Sequence, residues 1–305
     1  MATPHLDPVS TSGDLRPPVT VTFVGAGAIG LPMARRLAAA GFDVTAVDPS
    51  PQTRTRVEEA GLKAAPDIAS VSLGDVVVVM VATGGQLLET VATASARGSL
   101  AGQTWVIGST VGPKDGRVAG ERLTEAGAQV VDAPVLGGVP GAEKGALRIL
   151  AAGSRQALER VRELFRPLGQ VAEVGDEPGQ GQAFKVVNQL CSSVHLAAAA
   201  EALSLASSLG LDPARVVPVI SGSSGSSWFL EDRGPRMAAP TEPDEVLTRL
   251  AILAKDNALV VQEAEQAGAR IPLARAAAGQ YQQAVEQGLL ELDDSQIIRT
   301  YRAAQ

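Results

Sequence analysis

Two groups of residues have the types and spacing to do chemistry. The first is Gly25-Ala26-Gly27-Ala28-Ile29-Gly30, a G-x-G-x-x-G run between a β-branched stretch, Val19–Val24, and an apolar helical stretch, Leu31–Ala40. In that setting Gly25 permits a tight turn, Gly27 lets the backbone N–H groups around Ala28 and Ile29 approach a pyrophosphate, and Gly30 lets helix and strand pack closely. The helix N-terminus then faces the anion with its partial positive charge. Asp48 ends the next strand-like stretch, 18 residues beyond Gly30. A carboxylate there accepts from a ribose 2′-hydroxyl and repels a 2′-phosphate. The plainer reading is that Asp48 caps the turn before Pro49, and Arg54, less so Arg56, would attract a 2′-phosphate. The expected cofactor is NAD, with NADP possible. The second group is Lys185, Asn188 and Ser192, which share one face of a helical stretch. Spacing alone leaves Lys185 two readings: a proton-transfer group, or a surface lysine whose stem lies along the helix.

The elements that must position these groups fall into two regions. The first alternates strands (Val19–Val24, Asp43–Val47, Asp75–Val81, Thr104–Ile107, Gln129–Val131, Leu147–Ala151, Val171–Val174) with helices (Leu31–Ala40, Pro51–Ala60, Asp115–Ala126, Arg155–Phe165). Such alternation predicts βαβ units in an α/β, Rossmann-type doubly wound sheet. The Val-rich run at 75–81 suits a strand buried on both faces. After a turn at Gly179–Gly181, Gln182–Leu209 runs without Gly or Pro and predicts one long helix ended by Gly210. Further helices are predicted at Pro213–Ile220, Glu245–Ala267, Leu273–Glu286 and Ser295–Arg302, with Ser221–Ser227 as a loop. The expected division is a flexible tail at 1–17, a dinucleotide-binding domain at 18–178 and an all-α domain at 179–305.

Composition narrows the function. The chain has 305 residues with 45% hydrophobic and 19% charged side chains, enough for sizeable cores. Its net charge of -7 and lack of a long basic stretch argue against nucleic acid, and 3% aromatics against a base-stacking platform. One cysteine, Cys191, and two histidines, His5 and His195, offer neither a disulfide framework nor a metal site. Cys191 reads as a packed small hydrophobe, and His195 as a packing or hydrogen-bonding residue. No uninterrupted apolar run approaches the roughly 20 residues of a membrane helix, and 1–18 carries no export signal. The expectation is a cytoplasmic protein without a membrane partner.

Four further segments sharpen the reading. Phe23–Met33 (FVGAGAIGLPM), Asp132–Gly145 (DAPVLGGVPGAEKG), Gly179–Asn188 (GQGQAFKVVN) and the pair Lys255-Asp256 occur in this order. Together they resemble the β-hydroxyacid dehydrogenase family, built on a 6-phosphogluconate-dehydrogenase-like plan; Gln189 departs from it, since many members carry a second Asn there. The resemblance implies that Lys185 is the catalytic lysine and that Asn188 touches substrate. It implies that Ser109, Gly137 and Gly138 meet the substrate carboxylate. It places Val81, Ala82, Gln86, Thr110 and Lys255 along the cofactor.

Alcohol oxidation fits such a lysine, because a base must take the hydroxyl proton as hydride leaves carbon. A free lysine is a poor base at neutral pH, so burial and a second cation, with Lys255 the candidate, must lower its pKa. The implied activity is NAD-dependent oxidation of a small hydroxy acid. The segments at 195–206, 226–233 and 293–301 are most similar to the L-threonate branch and suggest a four-carbon sugar acid. Asn188 and Ser223-Ser224-Gly225 fit the 3-hydroxyisobutyrate branch. Tartronate semialdehyde reduction, imine reduction and a non-catalytic dinucleotide sensor are also compatible with the fold that the resemblance implies. Ser221–Ser227 is either a substrate-facing connection or a plain loop. The apolar helical domain is expected to join copies into a homodimer or homotetramer.

Overall fold

Period-two burial shows why the first strands form a sheet covered on both sides. All four residues of Val76–Val79 are buried. Val76 and Val78 enter one hydrophobic core with Phe23, Leu37 and Leu164, while Val77 and Val79 enter a second with Leu87, Trp105 and Leu123. The computed structural model describes residues 19–239, 241–243 and 245–301; the expected tail at 1–17 lies outside them. The chain divides into two units, Met1–Gln182 and Ala183–Gln305.

In the first unit the described residues form a nine-stranded sheet. Its elements are β1 (Thr20–Val24), α1 (Gly30–Ala39), β2 (Asp43–Val47), α2 (Pro51–Glu59), β3 (Lys63–Ala65), β4 (Val76–Val79), α3 (Gly84–Ser95), β5 (Thr104–Ile107), α4 (Pro113–Glu125), β6 (Gln129–Asp132), β7 (Val135–Leu136), α5 (Gly138–Lys144), β8 (Leu147–Ala152), α6 (Arg155–Phe165) and β9 (Gly169–Gly175). The spatial order is β3-β2-β1-β4-β5-β6-β8-β7, with β9 also paired to β8. The six strands from β3 to β6 pair in parallel, as the alternation predicts. Beyond them β8 runs antiparallel to β6 and β7 and parallel to β9.

Three elements lack a sequence signal of their own. β3 is only Lys-Ala-Ala and carries no β-branched residue. α3 begins with Gly84-Gly85, which reads as a turn; its start is fixed by Thr83 and Gln86, whose side chains and backbone exchange bonds in a capping box. α5 holds two glycines and a proline in seven residues.

The second unit is helical: α7 (Gln180–Ser208, whose first three residues fall in the first unit), α8 (Pro213–Ile220), α9 (Trp228–Ala238), α10 (Leu250–Gln266), α11 (Pro272–Glu286) and a 3-10 segment, Asp294–Tyr301. The expected turn at 179–181 is confined to Gly179, since α7 starts at Gln180. α10 starts at Leu250 rather than Glu245, because Arg249 pairs with Asp293 in an isolated antiparallel bridge. The last predicted helix is 3-10 in geometry. α9 is masked in the sequence by Gly234-Pro235; a Cβ at Gly234 would lie 3.0 Å from Val217, so glycine there lets α9 approach α8.

α7 is long and apolar enough on average to cross a membrane, although no unbroken apolar run within it reveals this. Its buried Leu196, Ala199, Ala200 and Leu203 belong to the core of the helical unit, the place of a globular bundle's central helix. Its outer face is apolar as well: Phe184, Val187 and Leu205 are exposed, as is Leu209 just past its end, with Cys191 and His195 between them. Cys191 and His195, expected to pack, therefore lie on the surface.

Buried ions tie the 3-10 segment down. Arg233 donates to both oxygens of Asp294 at 3.0–3.1 Å and to Asp232, and Arg236 donates to Asp293 at 3.0 Å. Arg233 also lies 5.0 Å from the Trp228 ring and 5.4 Å from the Phe229 ring.

Candidate active site

The three glycines of the phosphate loop answer to three different constraints. Gly25 has φ +91, and a Cβ there would stand 2.3 Å from the Met80 carbonyl oxygen. A Cβ on Gly30 would stand 2.0 Å from the Gly25 carbonyl oxygen, so its absence lets α1 start directly against the loop. Gly27 is exposed and a Cβ on it would meet nothing within 4 Å. The fold itself thus demands Gly25 and Gly30, while Gly27 keeps open space beside the loop. Ala28 is exposed too, and Ile29 precedes α1 without a side-chain cap on the first N–H groups. An uncapped helix start with open space in front of it fits a dinucleotide pyrophosphate.

Asp48 braces this loop. Its carboxylate accepts from the Ala26 N–H at 3.0 Å and from the Ser50 N–H at 3.0 Å, tying the loop to the turn after β2. The turn-capping role is therefore realised, and a carboxylate retains further lone pairs for a ribose hydroxyl. Arg54 donates to the carbonyl oxygens of Asp48 and Pro49 at 3.0 and 2.8 Å, which holds its guanidinium at the same turn.

The ends of β4 and β5 carry the next group. Ser109 is buried; its hydroxyl accepts from the Val81 N–H at 2.8 Å and donates to the Val79 carbonyl at 3.2 Å, and its own N–H donates to Val79 at 3.0 Å. The hydroxyl that the resemblance assigns to the substrate carboxylate thus splices two strand ends as well. Gln86 accepts from the Ala82 and Thr83 N–H groups at 3.0 and 3.2 Å, so it shapes the loop along which Val81 and Ala82 lie. Thr110 is half-buried beside Ser109. Gly137 and Gly138 have φ +118 and +59, a conformation that glycine adopts readily and that starts α5.

Asp132, fully buried, is the hub behind these residues. It accepts from the N–H groups of Gly179 and Gln182 at 2.9 and 3.0 Å and from the Gln182 side chain at 2.7 Å. Gln182 in turn donates to the Ser109 carbonyl and accepts from the Val111 N–H, both at 3.0 Å. Burial pushes the Asp132 carboxyl up to about 6 against the pull of these donors. The glycines of the Gly-Gln-Gly run allow the approach: a Cβ on Gly181 would stand 2.6 Å from the Leu150 carbonyl oxygen. In the sequence Asp132 and Gln182 are only members of longer motifs; their one signal is a polar side chain at a position flanked by residues that pack.

In the second unit Lys185 is 8% exposed, which removes the surface-lysine reading. Burial lowers its pKa to about 8, Asp256 opposes that shift, and Lys255 adds to it. The Lys255 ammonium lies 3.2 Å from Asp256. Asn188 follows one turn after Lys185, half-buried, and donates to Gln189 at 2.9 Å and to Ser192 at 3.2 Å. Asp256 and Gln189 are buried partners that residue type and spacing do not single out as a pair. Ser221–Ser227 is tied down rather than loose: Glu231 accepts from Ser226 and from the Gly222 N–H, and Ser227 caps α9.

The arrangement matches known proteins along nearly its whole length. Residues 20–175 match the NAD binding domain of 6-phosphogluconate dehydrogenase, and residues 179–301 match the NAD-binding domain of NADP-dependent 3-hydroxyisobutyrate dehydrogenase. An L-threonate dehydrogenase of Cupriavidus necator is 32% identical over 92% of this chain and 95% of its own. A 2-hydroxy-3-oxopropionate reductase of Escherichia coli is 31% identical over 91% of this chain and 95% of its own. Among solved structures, the Mycobacterium tuberculosis 3-hydroxyisobutyrate dehydrogenase with L-serine is 29% identical, covers 93% of this chain and 99% of its own, and superposes with a TM-score of 0.83. With its loop for a nicotinamide dinucleotide, NAD or NADP, the chain belongs to the β-hydroxyacid dehydrogenase family and is a hydroxyacid dehydrogenase.

Proposed function

We propose that this enzyme oxidises a four-carbon sugar acid such as threonate, with NAD preferred and Lys185 as the base that takes the hydroxyl proton. The observation that carries the reading is Lys185 itself, a buried lysine with its pKa brought down to about 8. A nicotinamide dinucleotide held at the Gly25–Gly30 loop would supply the acceptor for the hydride that leaves the alcohol carbon. The electron pair of the C–H bond goes with that hydride, the O–H proton goes to Lys185, and a carbonyl remains. Each unit contributes by itself what the reaction needs: the first a loop for the dinucleotide, the second an amine poised to exchange a proton. The four-carbon choice is supported by L-threonate dehydrogenases of three bacterial species among the relatives, each near 30% identity: Cupriavidus necator (32%), Haemophilus influenzae (31%) and Escherichia coli (29%). The structural likeness to a 3-hydroxyisobutyrate dehydrogenase favours the second reading, a branched C4 hydroxy acid.

Absorbance at the reduced-nicotinamide band, read with NAD or NADP against L-threonate, 3-hydroxyisobutyrate and glycerate, tests the reading. Turnover of threonate with NAD is expected to exceed the rest. Reduction of an imine but of no carbonyl would replace the assignment, and cofactor binding without turnover of any acid would leave a sensor.

Self-association through the helical unit belongs to the same proposal, because the apolar outer face of α7 is of the kind that a second copy covers. Sedimentation of a monomer at micromolar concentration would refute that part.

A further inference from the structure

A line of side chains runs from α10 to the face of α7 that carries Asn188. Asp256 of α10 is 4% exposed and Gln189 of α7 is 6% exposed. The Gln189 amide nitrogen donates to Asp256, and the Gln189 amide oxygen accepts from the Asn188 amide nitrogen at 2.9 Å. The same Asn188 nitrogen donates its second N–H to the Ser192 hydroxyl at 3.2 Å. Next to this line α10 is pinned to α7 again by Asn257 donating to Ser193 at 3.1 Å, and α11 is pinned to α7 by the Tyr281 hydroxyl donating to the Ser193 carbonyl at 3.0 Å.

The order of donors and acceptors along the line is forced. The Gln189 NH2 faces an Asp256 carboxyl oxygen, which accepts, so its own oxygen is turned toward Asn188. Asn188 must then turn its NH2 inward, where Gln189 and Ser192 take both N–H groups. Only its carbonyl oxygen remains to meet a ligand. An asparagine free to rotate offers either end of its amide and accepts a hydroxyl or a carbonyl equally.

We propose that Gln189, anchored on Asp256, locks the Asn188 amide so that it presents an acceptor alone and thereby selects substrates that place a hydroxyl donor there in addition to the one being oxidised. Gln189 and Asp256 are then positioning residues: they act through Asn188. The proposal rests on the reading of Asn188 as a substrate contact and deepens it, since it favours a polyhydroxy acid over a monohydroxy acid of similar size.

The test compares L-threonate, which has extra hydroxyls, with 3-hydroxyisobutyrate, which has none, in the native enzyme and in Gln189→Leu. The variant frees the Asn188 amide to turn its NH2 outward, so the ratio of kcat/KM values should fall, by at most about tenfold, the worth of one neutral hydrogen bond. The fall should come through the KM for threonate, with the KM for 3-hydroxyisobutyrate little changed. An equal loss for both acids would mean that Gln189 is merely structural and would overturn the proposal. Proton exchange of the Asn188 side-chain amide in the native protein, read by NMR, provides a second measurement that needs no variant. Both N–H protons should be protected, and rapid exchange would overturn the lock whichever acid is used. Protected protons with no turnover of either acid would instead refute the activity reading and leave the lock in place.

Discussion

Replacing Lys185 with methionine should cut turnover by about a hundredfold or more and make the protein more stable. At pH 7 a lysine with an ordinary pKa of 10.5 is deprotonated in about three molecules in ten thousand, whereas at about 8 the fraction is about one in eleven. Burial thus multiplies the available base by about 300, and methionine removes it. General-base help is typically worth about 10²–10⁴-fold, so kcat for oxidation should fall by that factor, with cofactor affinity little changed. The same burial that makes the base burdens the fold. Because the folded pKa lies below the unfolded one, the ionised amine is destabilising at every pH below about 8, and the burden fades as pH rises from 8 to 10.5. At 1.36 kcal/mol per pH unit, the drop from 10.5 to about 8 corresponds to about 3 kcal/mol, an upper figure for the gain in Lys185→Met at pH 7. Initial rates across pH, together with urea unfolding at pH 7 and at pH 10.5, measure both effects. The native rate of oxidation should climb with pH and level off near 8, and the stability gain of the variant should vanish by pH 10.5. A folded variant retaining a tenth of native turnover would remove Lys185 from the chemistry. Unchanged stability at pH 7 would refute the account of its burial.

Three other perturbations separate binding from folding. Gly27→Ala should leave the melting temperature of the free protein unchanged and remove most of the rise that saturating NAD produces; a fall in the free protein itself would show that the loop cannot accept the methyl group. Asp132→Asn leaves one donor of the Gln182 clasp without an acceptor, so a loss of about 1–3 kcal/mol is expected in urea unfolding. The Asp132 carboxyl is pushed up to about 6, so it stabilises the native enzyme as pH falls from 7 toward 4, and the variant should lack that component. Asp294→Asn leaves Arg233 with only the more exposed Asp232 as counter-charge and should cost about 1–3 kcal/mol, read by thermal or urea unfolding.

The strands and helices that position the cofactor loop can be read from pattern because each repeats one physical signal several times. Asp43–Val47 and Thr104–Ile107 are β-branched or aromatic runs between turns, and Arg155–Phe165 places Leu158, Val161, Leu164 and Phe165 on one helical face; all three elements have the predicted bounds. What escapes pattern is built from residues with two meanings. Gly84-Gly85 marks a turn unless Thr83 and Gln86 close a capping box around it, and Gly234-Pro235 breaks a helix unless a neighbour needs the glycine's surface. At the site, a glycine loop and a lysine with an amide three residues on are local patterns and are visible. The strand-joining bonds of the Ser109 hydroxyl are not legible in the sequence, because its partners Val79 and Val81 lie about thirty residues away in the chain, brought near only by the pairing of β4 with β5. Asp256 and Gln189 stand 67 residues apart, and no spacing rule joins them.

The ion cluster at Asp294 has a consequence for the uniqueness of the helical unit. Much of that unit's core is alanine: Ala197, Ala199, Ala200, Ala277 and Ala284 are all buried in it. Small side chains give a helix interface few knobs by which to tell one turn from the next. A slide of α9 over such a core by one turn, about 5.4 Å, would change the packing little. It would carry Arg233 out of reach of Asp294 and strand opposite charges apart in a low-dielectric interior, at a penalty far above that of a lost methyl contact. The cluster therefore acts less as an adhesive than as an address, raising the free energy of every misregistered packing that an alanine-rich bundle would otherwise tolerate.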